Sequence, residues 1–157
     1  MSSPPDVLVI GVGNTLRGDD GVGLAVIAAL EARGLPGAQL MSCQGDGLQL
    51  IETWKRADRI ILIDAVTSGG KAGMVYRFDA IAQALPADLS FSSTHAFGVV
   101  EAIELARALD QLPPHIVIYA VEGKNFAIDA RLSPEVERAL DDLVERVARE
   151  VAGNPVV

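Results

Sequence analysis

Val7-Leu8-Val9-Ile10-Gly11-Val12-Gly13-Asn14-Thr15-Leu16-Arg17-Gly18-Asp19-Asp20-Gly21-Val22-Gly23 decides how the chain is read. It opens with an unbroken apolar run, Val7 to Val12, too continuous to leave one face in water, as central strands of parallel sheets are. A glycine-rich turn follows, and from Val22 to Leu30 the apolar spacing becomes that of a helix. Strand, glycine turn, helix is the opening unit of a βαβ protein.

Working outward, two similar apolar runs occur at Arg59 to Ala65 and at His115 to Val121, with a weaker strand at Ala38 to Cys43. Helical spacing lies between them at Leu48 to Trp54 and at Ala96 to Leu109. Gly73 to Phe78 also reads as a strand, but it follows the Arg59 to Ala65 strand too closely for a parallel crossover of roughly a dozen residues. It is expected as an antiparallel edge strand. The last helix has the plainest signals. Ser133 suits the cap, Pro134 the first helical position and Glu135 the positive end of the dipole. Its apolar stripe is Val136, Leu140, Leu143, Val144, Val147 and Val151, leaving Glu137, Arg138, Asp141, Asp142, Glu145, Arg146 and Arg149 for water. The expected fold is α/β: a three-layer sandwich with a mostly parallel five-stranded twisted sheet, one antiparallel edge strand and helices on both faces.

Length and composition bound the function. At 157 residues, half of them apolar, the chain is read as a single domain, 1–157. A net charge of -8 with interleaved acids and bases offers no basic stripe to a phosphate backbone, so nucleic acid is not expected as a partner. The single cysteine, Cys43, fits a reducing compartment, and cytoplasm is the expected location. Neither a basic segment leading into an apolar one near Met1 nor a run of membrane-spanning length is found, so no membrane association is expected.

In an open parallel sheet, ligands bind beyond the carboxyl ends of the strands near the point where strand order reverses. Three segments should reach that rim: the loop carrying Asn14, Arg17, Asp19 and Asp20; Asp64 at the end of Ile60-Ile61-Leu62-Ile63; and Ser92-Ser93-Thr94-His95. Asp64 follows aliphatic residues that would desolvate it, although it could equally bond to the next loop. His95 is expected in the first turn of a helix capped by Thr94, where the dipole disfavours an imidazolium; taken alone it could be an idle surface histidine. His115 begins a strand and should lie at the opposite rim. The Gly-x-Gly turn invites a dinucleotide reading, but Leu16 stands where a third glycine belongs, and Asp19 and Asp20 put negative charge where pyrophosphate would sit. Asp19 could instead cap the helix. Two carboxylates and a neutral histidine form an O, O, N set suited to nickel, zinc or iron. Cys43 has no evident histidine partner and reads as a small core residue, and Asp46 as the cap of the second helix.

By Gly11-x-Gly13-Asn14-x-Leu16-x-x-Asp19-Asp20-Gly21-x-Gly23, Ile63-Asp64-Ala65 and His95 ahead of a helix, the chain resembles the nickel-iron hydrogenase maturation endopeptidases over nearly its whole length. The resemblance implies removal of a C-terminal extension from a hydrogenase large-subunit precursor after nickel insertion. It implies that Asp20, Asp64 and His95 are the metal-contacting and catalytic trio. The nickel would be that of the precursor, held by its cysteines, with no permanent metal in the protease. Relatives often carry an acid near the end of the second strand, where this chain has Ser42-Cys43-Gln44. The alternatives are a nucleotide or phosphate binder using the glycine turn, and an assembly chaperone that docks without cutting.

Overall fold

The computed structural model describes residues 7–91 and 96–154. Six strands and four helices follow one another: β1 (Val7–Val12), α1 (Val22–Arg33), β2 (Ala38–Cys43), α2 (Gly47–Trp54), β3 (Arg59–Thr67), β4 (Val75–Asp79), β5 (Ser90–Phe91), α3 (Val99–Ala108), β6 (His115–Glu122) and α4 (Pro134–Val151). In space the strand order is β2-β1-β3-β6-β4, with β1, β2, β3 and β6 parallel and β4 an antiparallel edge. The five expected strands are all present. A sixth, the two-residue β5, adds antiparallel to the end of β3; so short a strand has no alternation by which a sequence could announce it.

Alternate residues of the central strands face opposite layers, as the period of two requires. Val7, Val9, Ile61, Ile63, Val117, Tyr119 and Val121 pack with α1 and α4, whereas Leu8, Ile10, Ile60, Leu62, Ile116 and Ile118 pack with α2 and α3. From β1 the chain crosses to β2 on one side and returns through α2 to β3 on the other, which makes the β1/β3 boundary the switch point.

Register explains what happens there. β1 pairs with β3 only as far as Gly11 opposite Ile63, and β5 takes up the same side of β3 at Val66. Asp64 falls in the gap. It does not end its strand, as the sequence suggested; pairing with β6 carries β3 on to Thr67. α1 lies unusually close to this point, because a Cβ on Gly23 would stand 2.5 Å from the Ile63 carbonyl oxygen and one on Gly11 2.4 Å from that of Gly23. Glycine is required where a helix touches a sheet backbone this closely.

α3 differs from expectation. It starts at Val99 rather than Ala96, and its cap is Gly98, whose amide donates to Glu101 Oε1 at 3.0 Å. The first turn of α3 is thus not the segment expected to hold His95, and Thr94 is not its cap; both residues lie outside the described ones. α4 begins as expected, with Ser133 Oγ accepting from Val136 N at 3.4 Å and Pro134 in the first turn. Arg146, assigned to water, instead lays its guanidinium over the Tyr119 ring, 5.6 Å from the centroid. No helix among the described residues is long and apolar enough to cross a membrane.

Candidate functional site

The loop after β1 tightens into a 3-10 turn, Gly18–Gly21, before α1. Successive side chains on such a turn diverge by roughly 120°, so the paired acids point to different surroundings. Asp20 is buried, with its main chain held on both sides: its amide donates to Arg17 O at 3.1 Å, and its carbonyl accepts from Asn14 N at 3.1 Å. A Cβ on Gly13, at φ 139°, would lie 1.8 Å from that carbonyl and 3.3 Å from Asp20 Oδ1. Arg17 Nη1 stands 3.5 Å from Asp20 Oδ2. Asp64 is fully buried beside the end of α1, and its Oδ1 accepts the amide of Ala65 at 2.8 Å. The turn packs against β3, so two buried acids from distant parts of the sequence lie on neighbouring elements at the switch point.

Asp19 is not a helix cap. It is fully buried and accepts three backbone amides: Ser133 N at 2.7 Å on Oδ1, and Lys124 N at 2.7 Å and Asn125 N at 3.0 Å on Oδ2. Sequence reading missed these partners because they lie more than a hundred residues away. Glu122, at the end of β6, was also missed. It is buried and accepts from Ser68 N (2.9 Å), Ser68 Oγ (2.5 Å) and Tyr76 Oη (3.1 Å). Burial pushes its carboxyl up, but the Ser68, Tyr76 and Gly70 donors outweigh this and hold it below the usual carboxylate range. An acid directly after an apolar strand was the available signal, the same one that singled out Asp64.

Asp46 caps α2, with Oδ1 accepting from Leu48 N at 3.0 Å. Cys43 is buried in the α2/α3 layer. Burial, with the negative charges of Asp46 and Asp64, raises its thiol pKa against the opposing backbone hydrogen bonds of Gly45 and Gln44. A thiol kept protonated is a poor nucleophile. Between this strand end and the glycine turn runs an open groove of about 670 Å³, walled by Gly13, Asn14, Leu16, Cys43, Gln44 and Gln49. Buried acids in the turn where a pyrophosphate would have to sit leave the dinucleotide alternative without support.

His95 lies outside the described residues. Its flanking segments reach the same rim: Phe91 pairs with Val66 of β3, and Phe97 O accepts from Gly47 N at the start of α2, 2.8 Å away. Among the described residues no three histidine, cysteine or acidic side chains form a metal-holding group. His115 starts β6 at the opposite rim and is exposed.

Comparison with known proteins identifies the family. Residues 25–150 match the family model for HycI, hydrogenase maturation protease. HupD of Thiocapsa roseopersicina, a hydrogenase expression/formation protein, is 28% identical over 158 residues, covering 92% of this chain and 71% of that protein. A Methanocaldococcus jannaschii protein named among the hydrogenase maturation proteases is 30% identical over 152 residues, covering 93% and 96%. The [NiFe] hydrogenase maturation protease HybD from Thermococcus kodakarensis superposes with a TM-score of 0.73 at 28% identity, covering 93% of this chain and 98% of that one. HybD from E. coli shares the fold, with a TM-score of 0.76 at 24% identity, covering 94% and 93%. The chain therefore belongs to the hydrogenase maturation protease family, whose members are peptidases.

Proposed function

We propose that this chain is an endopeptidase that removes the C-terminal extension of a nickel-iron hydrogenase large-subunit precursor once nickel has been inserted, and that Asp20, Asp64 and His95 contact the nickel the precursor brings. The observation that supports the reading is that Asp20, on a turn packed against β3, and Asp64, within β3, are both buried beside the switch point. Carboxylate oxygens and an imidazole suit a borderline divalent ion, and they are offered by a protein whose net charge of -8 favours a cation-bearing partner. The metal is part of the substrate. Either carboxylate can act as general base toward a water aimed at the scissile carbonyl, and burial keeps the pair in fixed positions while the peptide is brought in. The adjoining groove lined by Asn14, Ser42, Gln44 and Gln49 gives an extended peptide backbone partners for its amides and carbonyls. A cytoplasmic location goes with such a substrate.

The test is to mix purified protein with nickel-loaded and nickel-free precursor and follow the shift in mobility as the extension is lost. Cleavage should require nickel and fail with His95→Ala. Cleavage indifferent to both changes would reject the assigned role. Intact mass of the precursor also separates a peptidase from a chaperone that docks without cutting.

A further inference from the structure

The family's chemistry gives no task to Asp19, yet it is among the most completely buried charges described, with 0% exposure. Its carboxylate is met by the amides of Lys124, Asn125 and Ser133, and Ser133 is also the N-cap of α4, an 18-residue helix whose positive end favours an anion there. The contacts around it form a seam. Asp19 N donates to Asn125 O at 2.8 Å, Gly18 N to Ala130 O at 3.1 Å, and Asp129 N to Leu16 O at 2.7 Å. Gly18, at φ 56°, has room for no Cβ, which would stand 2.2 Å from Asn125 O. The loop joining β6 to α4 and the turn bearing Asp20 are thereby one hydrogen-bonded unit. Asp20 is the next residue, and its main chain is fastened on the other side by Asn14 and Arg17.

Resting on the peptidase reading above, we infer that Asp19 is a positioning residue: its three amide bonds fix the turn from behind, so that the Asp20 carboxylate holds its place at the site without moving as precursor docks. Asparagine at this position keeps the shape but turns an amide NH2 toward N–H groups, so at least one bond is lost and the turn can drift. A displacement near 1 Å at a reacting group costs on the order of 100-fold in rate.

The experiment compares Asp19→Asn with Ser133→Ala, which removes the α4 cap but leaves the Ser133 amide on Asp19. Both should lower the melting temperature. At a temperature where both are folded, Asp19→Asn should cut kcat for nickel-loaded precursor by roughly 10- to 100-fold with KM little changed, while Ser133→Ala keeps the wild-type kcat. Equal kcat for Asp19→Asn and wild type, or an equal loss in Ser133→Ala, would overturn the inference. Should Asp19→Asn fail to fold, Gly18→Ala wedges the same seam open with Asp19 intact: a similar fall in kcat supports the positioning role, and an unchanged kcat overturns it. Wild-type protein that leaves nickel-loaded precursor whole would instead sink the peptidase reading beneath it.

Discussion

The two ends of the sheet treat buried charge in opposite ways. At the amino end of the parallel strands Glu150 is buried, but Arg77 Nε donates to it at 2.6 Å, Arg77 Nη2 at 3.2 Å and Tyr119 Oη at 2.7 Å. Burial and the neighbouring Glu150 carboxylate push the Tyr119 hydroxyl pKa well up, and the hydrogen bond that Arg77 donates to Glu150 raises that of Arg77. Nearby, Arg59 Nη2 donates to the Glu150 carbonyl at 2.8 Å. The Glu150 carboxylate is answered by an opposite charge and a hydroxyl, and Arg59 by a carbonyl of α4, an arrangement that fastens α4 to the sheet. At the carboxyl end Asp19 and Glu122 are met by backbone amides and hydroxyls instead, and Asp20 and Asp64 share the same rim. Buried acids are thus held by different means at the two ends, Glu150 by an ion pair with Arg77 and Asp19 and Glu122 by amides and hydroxyls, so burial alone does not mark function.

The largest effect should come from the proposed site carboxylates. Asp64→Ala or Asp20→Ala should lower cleavage of nickel-loaded precursor by roughly 100- to 1,000-fold, the range lost when one preorganised electrostatic group is deleted, at a temperature where the variant is folded. Mobility shift checks the loss and thermal melts the folding. The converse variant at the other end is Glu150→Gln, which leaves Arg77 without its carboxylate. Breaking a buried pair costs about 3 kcal/mol, or roughly 6 to 12 °C in melting temperature for a chain of this size, while kcat per folded molecule stays put. If Glu150→Gln lost activity in proportion to Asp64→Ala, the division between the two rims would be false.

How far this division could be read in the sequence depends on the range of the interactions behind it. The apolar runs at Val7, Arg59 and His115 and the cap at Ser133 are local signals, and the strands and α4 follow them. Asp64 was legible because the acid is abrupt among aliphatics. The start of α3 was not, since Ala96 and Phe97 continue the helical spacing; Gly98 breaks the helix there, and the Phe97 ring fills the space a Cβ on Gly47 would need, 2.3 Å away. Asp19 and Asp20 are the same residue type side by side, and only amides brought from residues 124–133 decide which one turns inward. Glu122 was passed over because its strand was ended one residue early.

Glu122 gives the third comparison, one that pH can sharpen. Its carboxyl is held below the ordinary value of 4.5 in the folded chain, so its contribution to stability is complete above that value and is lost as pH falls through the lower, folded one. Glu122→Gln should therefore destabilise by about 2 kcal/mol at neutral pH, as the loss of charge-assisted hydrogen bonds does. The gap between variant and wild type should close on acidification below the ordinary carboxyl range. Denaturant melts across pH measure it, and a gap that widened in acid would show that the Ser68 and Tyr76 donors do not favour the ionised form.

The smallest expected effect is at His115, and it bears on His95, the proposed site residue outside the described residues. His115 and His95 are the two histidines of the chain, and a metal or proton role should belong to the one whose neighbours in sequence reach the carboxyl rim. His115 begins β6 opposite Arg59, is exposed, and donates its backbone amide to Asp58 O at 3.1 Å. That bond survives any side-chain change. His115→Ala should thus leave both cleavage and stability within about 0.5 kcal/mol of wild type, whereas His95→Ala abolishes nickel-dependent cleavage. Equal losses in the two variants would mean that the imidazole requirement is not tied to a rim at all, and the nickel contact assigned to His95 would have to be given up along with the contrast between the two ends of the sheet.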